Sequence, residues 1–290
     1  MSHSIQTPRS NSWQLANTKL KFDSLPILMG IVNVTPDSFS DGGQHDTTKA
    51  AVEHALQLVV DGAGILDIGG ESTRPYSQPV SADDEMARVV PVIEQLVSKT
   101  DVPISIDTSK PSVAQAAVSA GATIINDVTG FKDPKMIEVA QKSKAGICAM
   151  HMQGNPQTMQ DNPQYQNVVT DILEYLRQRK ESLLAAGIDL ARICLDPGIG
   201  FGKTHEHNLE LVAAAGQFHV LGCPVLVGHS RKGFIKKICG EDTADRDIGS
   251  LAVTIGLAQS GIQIIRVHEV RNTMKALKML QAVGGLDRPG

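Results

Sequence analysis

The sequence predicts a closed (β/α)₈ barrel, in which eight parallel strands alternate with helices. Eight short runs rich in isoleucine and valine recur along the chain, and helical sequence follows each one. Such runs are typical of parallel strands that are covered on both faces. The length of 290 residues also fits one barrel of ordinary size. Each run ends in polar residues, which a barrel would bring together at the C-terminal ends of its strands.

The strands are predicted from these apolar runs and the helices from the sequence between them. The runs are ILMGIVN (to Asn33), GILDIGGEST (Asp67 to Thr73), VPISIDT (Asp107), ATIIND (Asn126, Asp127), GICAMH (His151), RICLD (Asp196), PVLVGHS (His229, Ser230) and QIIRVH (Arg266, His268). The pair Asp133-Pro134 predicts a capped helix start, and Gly187 predicts a helix end. The predicted helices span 47–61, 81–98, 110–120, 134–144, 166–187, 206–215, 231–239 with 246–260, and 270–282.

The remaining segments are predicted to be a tail and three long loops. Residues 1–18 are polar and aperiodic, so we expect a flexible N-terminal tail before a barrel domain over 19–290. The alternation in 19–22 indicates a short strand against the barrel floor. Long loops are expected over 34–46, 72–80 and 153–163. Because they follow strand ends, they are candidates for binding loops or lids.

Composition excludes several classes of function. A formal charge of −4 argues against binding nucleic acid, which normally needs a basic face. No apolar run approaches the roughly 18 residues of a membrane span, and the N-terminus lacks the apolar core of a secretory signal. The four cysteines show no CxxC spacing, and two lie within predicted strands. We therefore expect a cytoplasmic protein with reduced thiols.

One set of strand-end residues has the chemistry to recognise a flat heterocycle. Asp107 and Asp196 can accept hydrogen bonds from paired N–H groups, whereas Asn126 can both donate and accept. Lys232 adds a group that only donates. Two alternatives remain open on this pattern: the acids could bind a divalent metal, or they could cap strands without any ligand.

A second set has the chemistry to bind phosphate. Arg266 and His268 lie two residues apart on one strand and so face the same side. Arg74 follows the second strand and could grip phosphate with its guanidinium fork. Asn33 offers a neutral oxygen that suits Mg²⁺. The alternative is structural, with a barrel arginine paired to an acid, Asp67 or Glu71.

Two glycine-rich turns and one histidine pair complete the candidates. The turns DPGIGFGK (196–203) and GHSRKGF (228–234) let backbone approach a ligand. Phe201 in the first turn and Phe39 in the first loop could cover an aromatic ring, although loop packing is the alternative. His205 and His207 lie at a helix start, which favours a solvated face over a metal site.

The motifs together resemble those of one family, dihydropteroate synthase. They are MGIVNVTPDSFSDGG (29–43), DIGGESTRP (67–75), SIDT (105–108), IND (125–127), MHMQG (150–154), DPGIGFGK (196–203), SRK (230–232) and RVH (266–268). The resemblance covers the chain from the first strand to the last. It implies an enzyme that joins p-aminobenzoate to a (7,8-dihydropterin-6-yl)methyl diphosphate. The products would be 7,8-dihydropteroate and pyrophosphate, the enzyme would be a homodimer, and it would be a sulfonamide target.

The resemblance also implies roles for individual residues. The pterin would be read by Asp107, Asn126, Asp196 and Lys232, and Mg²⁺ would be coordinated by Asn33. Catalysis would rest on Arg74, Lys232, Arg266 and His268. The diphosphate and aminobenzoate ends of the site would comprise Thr73, Arg74, Pro75, Phe201, Ser230, Arg266, Val267 and His268.

One three-residue stretch and two single residues depart from the family pattern. Tyr76-Ser77-Gln78 replaces a common Gly-Ala, Gly233 stands where many members have serine, and Glu269 replaces a frequent aspartate.

Two rival functions remain open. One rival is a methyltetrahydrofolate-dependent methyltransferase, which shares a pterin-binding barrel but has no need of residues that bind a diphosphate. The other is a catalytically silent binding barrel.

Overall fold

Eight parallel strands form a barrel in the computed structural model, which describes residues 9–35, 44–72 and 77–286. The barrel strands are β3 (Ile27–Asn33), β4 (Ile65–Gly69), β5 (Ile104–Asp107), β6 (Ile124–Asp127), β7 (Gly146–Met150), β8 (Ile193–Asp196), β9 (Leu226–Gly228) and β10 (Ile264–Val267), and two short strands, β1 (Ser12–Gln14) and β2 (Lys19–Lys21), precede them. The hydrogen-bonded order in the barrel is β8-β7-β6-β5-β4-β3-β10-β9, and a bridge between Leu195 and Val225 joins the two ends. The predicted fold class is confirmed.

Helices follow the barrel strands close to the predicted positions. The helices are α1 (Gln44–Asp61), α2 (Ala82–Val97), α3 (Pro111–Ser119), α4 (Pro134–Ser143), α5 (Val168–Ala185), α6 (His205–Ala213), α7 (Gly233–Cys239), α8 (Thr243–Gln259) and α9 (Val270–Ala282). At the start of α4, the Asp133 side chain accepts a hydrogen bond from the backbone N–H of Lys135, and Pro134 occupies the first turn. Gly187 adopts φ +82° just after the end of α5.

Alternation along the strands divides their side chains into two layers. One layer packs outward against the helices. The other fills the lower part of the barrel with apolar side chains, Met29, Ile65, Ile124, Cys148, Cys194, Leu226 and Ile264. Because side chains alternate, the residue two positions further along each strand also faces inward. In β4 and β10 these residues are Asp67 and Arg266, so the inner layer becomes polar toward the C-terminal end.

The first residues form a hairpin that closes the other end of the barrel. β1 pairs antiparallel with β2, which lies within the segment 19–22 that was predicted to form a short strand, whereas the pairing itself was not predicted. Trp13 is fully buried among the lower barrel residues and donates from Nε1 to the carbonyl of Arg192 at 2.8 Å. The expectation of a flexible tail is therefore wrong for Ser12–Gln14. Two apolar side chains, Trp13 and Leu15, anchor this short segment.

No helix in the described part of the chain combines the length and the apolar character needed to cross a bilayer.

Candidate active site

A buried ion-pair cluster occupies the C-terminal half of the barrel. The Arg266 Nε atom lies 2.5 Å from Asp67 Oδ2, and the Arg266 Nη2 atom lies 2.7 Å from Asp107 Oδ2. Burial alone would lower the pKa of Arg266, but the two carboxylates outweigh burial and raise it. Arg266 is thus held charged between two acids, one of which is the Asp67 partner expected in the structural alternative. Glu71 instead pairs with Lys110, at 2.8 Å.

Asp107 combines burial with an unused hydrogen-bond acceptor. Its Oδ2 contacts Arg266, whereas its buried Oδ1 has no hydrogen-bond partner among the described residues. Burial raises the pKa of Asp107 to about 7, although the nearby Arg266 opposes the change. On the adjoining strand, Asn126 donates from Nδ2 to Asp67 Oδ2 at 3.3 Å. These two predicted pterin-reading residues therefore lie in one cluster with Arg266.

Asp196 and Lys232 form the opposite side of the polar layer. Asp196 Oδ1 accepts a hydrogen bond from the backbone N–H of Gly198 at 2.7 Å. Burial raises the pKa of Asp196, and the positive charge of Lys232 opposes that rise. Burial lowers the pKa of Lys232 to about 7, against the attraction of Asp196. Lys232 also donates to the carbonyl of Ile199 and lies 4.3 Å from the centre of the Phe201 ring.

Ser230 and His268 meet next to this pair. The Ser230 hydroxyl accepts a hydrogen bond from the backbone N–H of His268 at 3.3 Å and lies 3.0 Å from its Nδ1. Val267, between Arg266 and His268, packs its side chain in the layer between strands and helices. Alternation explains this, because neighbours in a strand face opposite sides. Val267 can therefore reach a ligand at this end of the barrel only through its main chain.

Asn33 lies at the rim, where a glycine leaves room beside it. A Cβ atom built on Gly69 would lie 3.9 Å from Asn33 Oδ1 and 3.8 Å from Asp107 Oδ2. Two oxygens therefore flank a space that any larger residue would fill. In the described ranges, no three His, Cys, Asp or Glu side chains cluster as a metal site. Asp107 Oδ2 is already paired with Arg266. The Asn33 amide oxygen suits Mg²⁺, which takes few protein ligands, keeps most of its waters and binds phosphate oxygens.

Several predicted site residues fall outside the described ranges, namely Thr73, Arg74, Pro75 and Phe39. The ends of the second loop are described. Glu71 Oε1 accepts a hydrogen bond from the backbone N–H of Val80 at 2.7 Å, which ties the two ends together. Ser77, one of the departures from the family pattern, donates to the carbonyl of Ser72 at 2.5 Å.

Two features of the site were not predicted from the sequence, the burial of Lys203 and its contact with His151. Lys203 is buried and lies 3.0 Å from Nδ1 of His151. Neither the pairing nor the burial of Lys203 has a sequence signal beyond its place in the DPGIGFGK turn.

His207 closes a capping box with Thr204 at the start of α6. His207 is thus a half-buried capping residue and not part of the solvated face that the sequence indicated.

Comparison with known proteins agrees with this geometry. The model of the pterin binding enzyme family matches residues 29–268. Dihydropteroate synthase from Escherichia coli strain K12 is 44% identical over 259 residues, which cover 89% of this chain and 92% of that protein.

Two solved structures of Xanthomonas albilineans dihydropteroate synthase also superpose on the barrel. The complex with 4-aminobenzoic acid has a TM-score of 0.89 and 44% identity, over 96% of this chain and 100% of the other. The complex with 7,8-dihydropteroate has a TM-score of 0.84 and 39% identity, again over 96% and 100%. Fold, motif order and sequence identity agree, and this chain belongs to the dihydropteroate synthase family of pterin-binding enzymes.

Proposed function

We propose that this protein condenses a (7,8-dihydropterin-6-yl)methyl diphosphate with p-aminobenzoate to give 7,8-dihydropteroate and pyrophosphate. The observation that carries the proposal is the buried polar layer. It places two acids, an amide and two cations, Asp107, Asp196, Asn126, Lys232 and Arg266, in one end of the barrel. Family membership supplies the reaction, and these residues supply the groups that it needs.

The pterin ring meets the acids. Its amino group and ring N–H donate to carboxylates, for which Asp107 Oδ1 is a buried acceptor with no partner among the described residues. Asn126 can serve both the donor and the acceptor edges of the ring. Lys232 donates to a ring acceptor or carbonyl, and its charge and that of Asp196 attract each other.

The cationic residues would stabilise the diphosphate leaving group. Breaking the C–O bond to the diphosphate moves the electron pair onto oxygen, and Arg266 and His268 lie at the end of β10 to stabilise that charge. Arg74 in the second loop would add a further guanidinium. Mg²⁺ held by Asn33 would supply additional charge neutralisation for the departing pyrophosphate.

The aminobenzoate attacks as a neutral amine. Its nitrogen forms the new C–N bond at the pterin methyl carbon and then loses a proton, so no strong base is required. Phe201 provides an apolar face beside Lys232 on which the aryl ring can lie. The turn at Ser230 borders the same space, and Pro75 would border it from the second loop. Sulfonamides, which mimic this substrate in shape, would bind there.

Product analysis tests the proposal against both rivals. The purified protein should release pyrophosphate and form 7,8-dihydropteroate only when both substrates are present. A methyltransferase would leave the diphosphate intact, and a silent barrel would bind pterin without turnover. The Asp196→Asn variant should bind a pterin without diphosphate at least about tenfold more weakly, since a charged acceptor is lost. The exposed variant Asp133→Asn, which retains a capping side chain, is the control. Unchanged pterin affinity in Asp196→Asn would remove Asp196 from the site.

The homodimer and the cytoplasmic location belong to the same proposal. Helix α8 carries apolar and small residues on its outer side, including the strongly exposed Ile248 and Ala252. Such a face suits pairing with a second copy. The four cysteines are unpaired thiols, and three of them are buried, as expected in a reducing compartment.

A further inference from the structure

The loop that carries Phe201 is held by one of its own side chains and by three from other parts of the barrel. We use the name Phe201 loop for residues 198–203. Four successive carbonyls in it accept a hydrogen bond from a side chain. The donors are Lys232 to Ile199, Gln160 to Gly200 at 2.8 Å, Lys203 to Phe201 at 2.8 Å, and Tyr165 to Gly202 at 2.7 Å. The backbone of this loop is therefore fixed residue by residue.

Two of the four donors belong to the 153–165 segment, which follows β7. Gln160 and Tyr165 reach the Phe201 loop from one side, across 40 and 37 residues of sequence. The two segments also touch through backbone, since a Cβ atom on Gly202 would lie 2.6 Å from the carbonyl oxygen of Gln153. Gly202 has φ +64°, which L-residues rarely adopt. Glycine here permits both the turn and the close approach.

An apolar contact reinforces the polar ones. Met159 is 3% exposed and belongs to a small cluster with Met150, Met152 and Val128, against which Phe201 packs. The 153–165 segment thus contributes a methionine to the cluster that packs against Phe201, as well as two donors to the backbone of the Phe201 loop. The ring is consequently placed on Lys232, with the ammonium 4.3 Å from its centre.

We infer that the 153–165 segment positions the aminobenzoate end of the site, with Gln160 and Tyr165 as positioning residues that hold Phe201 over Lys232. Neither residue is in the set expected to touch substrate. The inference rests on the proposed function, because it assigns the Phe201 face to the aryl ring. Losing either donor leaves a loop carbonyl without its partner and lets the ring move, while the pterin-reading acids stay in place.

Two neighbouring tyrosines allow a matched test. Tyr165→Phe removes the donor to Gly202, whereas the hydroxyl of Tyr175 is buried without a hydrogen-bond partner among the described residues. Both rings approach His151, with centroid separations of 6.0 and 4.7 Å. Tyr175→Phe therefore removes the same atom from a similar place without touching the Phe201 loop. Gln160→Leu is an independent variant of similar size.

Steady-state kinetics and pterin binding are measured for the wild type and all three variants. We expect the KM for p-aminobenzoate to rise about three- to tenfold in Tyr165→Phe and Gln160→Leu, the range for one lost hydrogen bond. The Kd for a pterin without diphosphate, measured by calorimetry, should stay within twofold of wild type, and Tyr175→Phe should match wild type throughout.

Two results would overturn the inference. Tyr165→Phe and Gln160→Leu could behave like Tyr175→Phe, or pterin affinity could fall in step with the KM change, which would indicate a general loss of structure. A wild-type protein that forms no dihydropteroate overturns the proposed function instead, and the inference with it. The wild-type assay therefore distinguishes the two failures.

Discussion

Replacing Asp107 by asparagine should stabilise the protein while it weakens pterin binding. Burial raises the pKa of Asp107 from 3.8 to about 7, which means that the fold disfavours the ionised carboxylate. Asparagine resembles the protonated acid in shape and carries no charge. The substitution therefore removes the cost of keeping a charge in the barrel, and it also removes the acceptor that the pterin needs.

The size of the effect follows from the linkage between protonation and folding. A rise from 3.8 to about 7 corresponds to about 4 kcal/mol of unfolding free energy. Because the folded pKa is the higher one, wild-type stability falls as pH rises from about 4 to about 7 and then levels off. Relative to wild type, Asp107→Asn should gain about 2 kcal/mol at about pH 5.5 and about 4 kcal/mol at about pH 8.5.

Urea denaturation at the two pH values, followed by circular dichroism, measures this difference. Asp101→Asn, an exposed substitution, should show no comparable pH-dependent gain. Pterin affinity should fall at least about tenfold in Asp107→Asn. A variant that is less stable than wild type at the higher pH would refute the reasoning. It would mean that the ion pair with Arg266 outweighs the burial of the carboxylate.

Two further substitutions test the cationic end and a departure from the family pattern. Arg266→Ala should lower turnover by about 10²- to 10³-fold and should weaken binding of the diphosphate substrate more than binding of a bare pterin. It should also cost about 3–5 kcal/mol in stability, because Asp67 and Asp107 lose their partner; equal binding losses for both ligands would contradict the assignment. Gly233→Ser should fold with stability within about 0.5 kcal/mol of wild type, since a Cβ there meets nothing within 4 Å. Its hydroxyl should lower the KM for p-aminobenzoate, and an unchanged KM would exclude a role for that hydroxyl.

The barrel could be predicted because its signals are local and repeated. Each barrel strand coincides with an apolar run in the sequence. Cap residues such as Asp133 indicate helix starts, because their contacts lie within a few residues. The first strand of the N-terminal hairpin, Ser12–Gln14, could not be predicted in the same way. Its order depends on Trp13 reaching Arg192 far along the chain, a contact that no local pattern shows.

The sequence could predict which strand-end residues lie together in the candidate site, but it could not predict the ion pairs between them. Strand-end position alone was enough to bring Asp107, Asn126 and Asp196 into one end of the barrel. Which acid meets Arg266 depends on strand tilt and register around the ring, which no local pattern encodes. Asp67 therefore stood only as an alternative partner. The two donors of the 153–165 segment were missed for a similar reason, because loop contacts carry no periodicity.

Arg266 would have two compatible roles, as the ion-pair partner of Asp67 and Asp107 and as a cation that stabilises the departing diphosphate. Without a ligand it forms ion pairs with Asp67 and Asp107, and its charge opposes the effect of burial on the pKa of Asp107. A pterin that donates to Asp107 Oδ1 would add hydrogen bonds that favour the ionised acid. The carboxylate would then depend less on the guanidinium, which would have more of its positive potential available for a departing diphosphate. The same ion pair thus links recognition of the ring to stabilisation of the leaving group, and loss of Arg266 should affect the second more than the first.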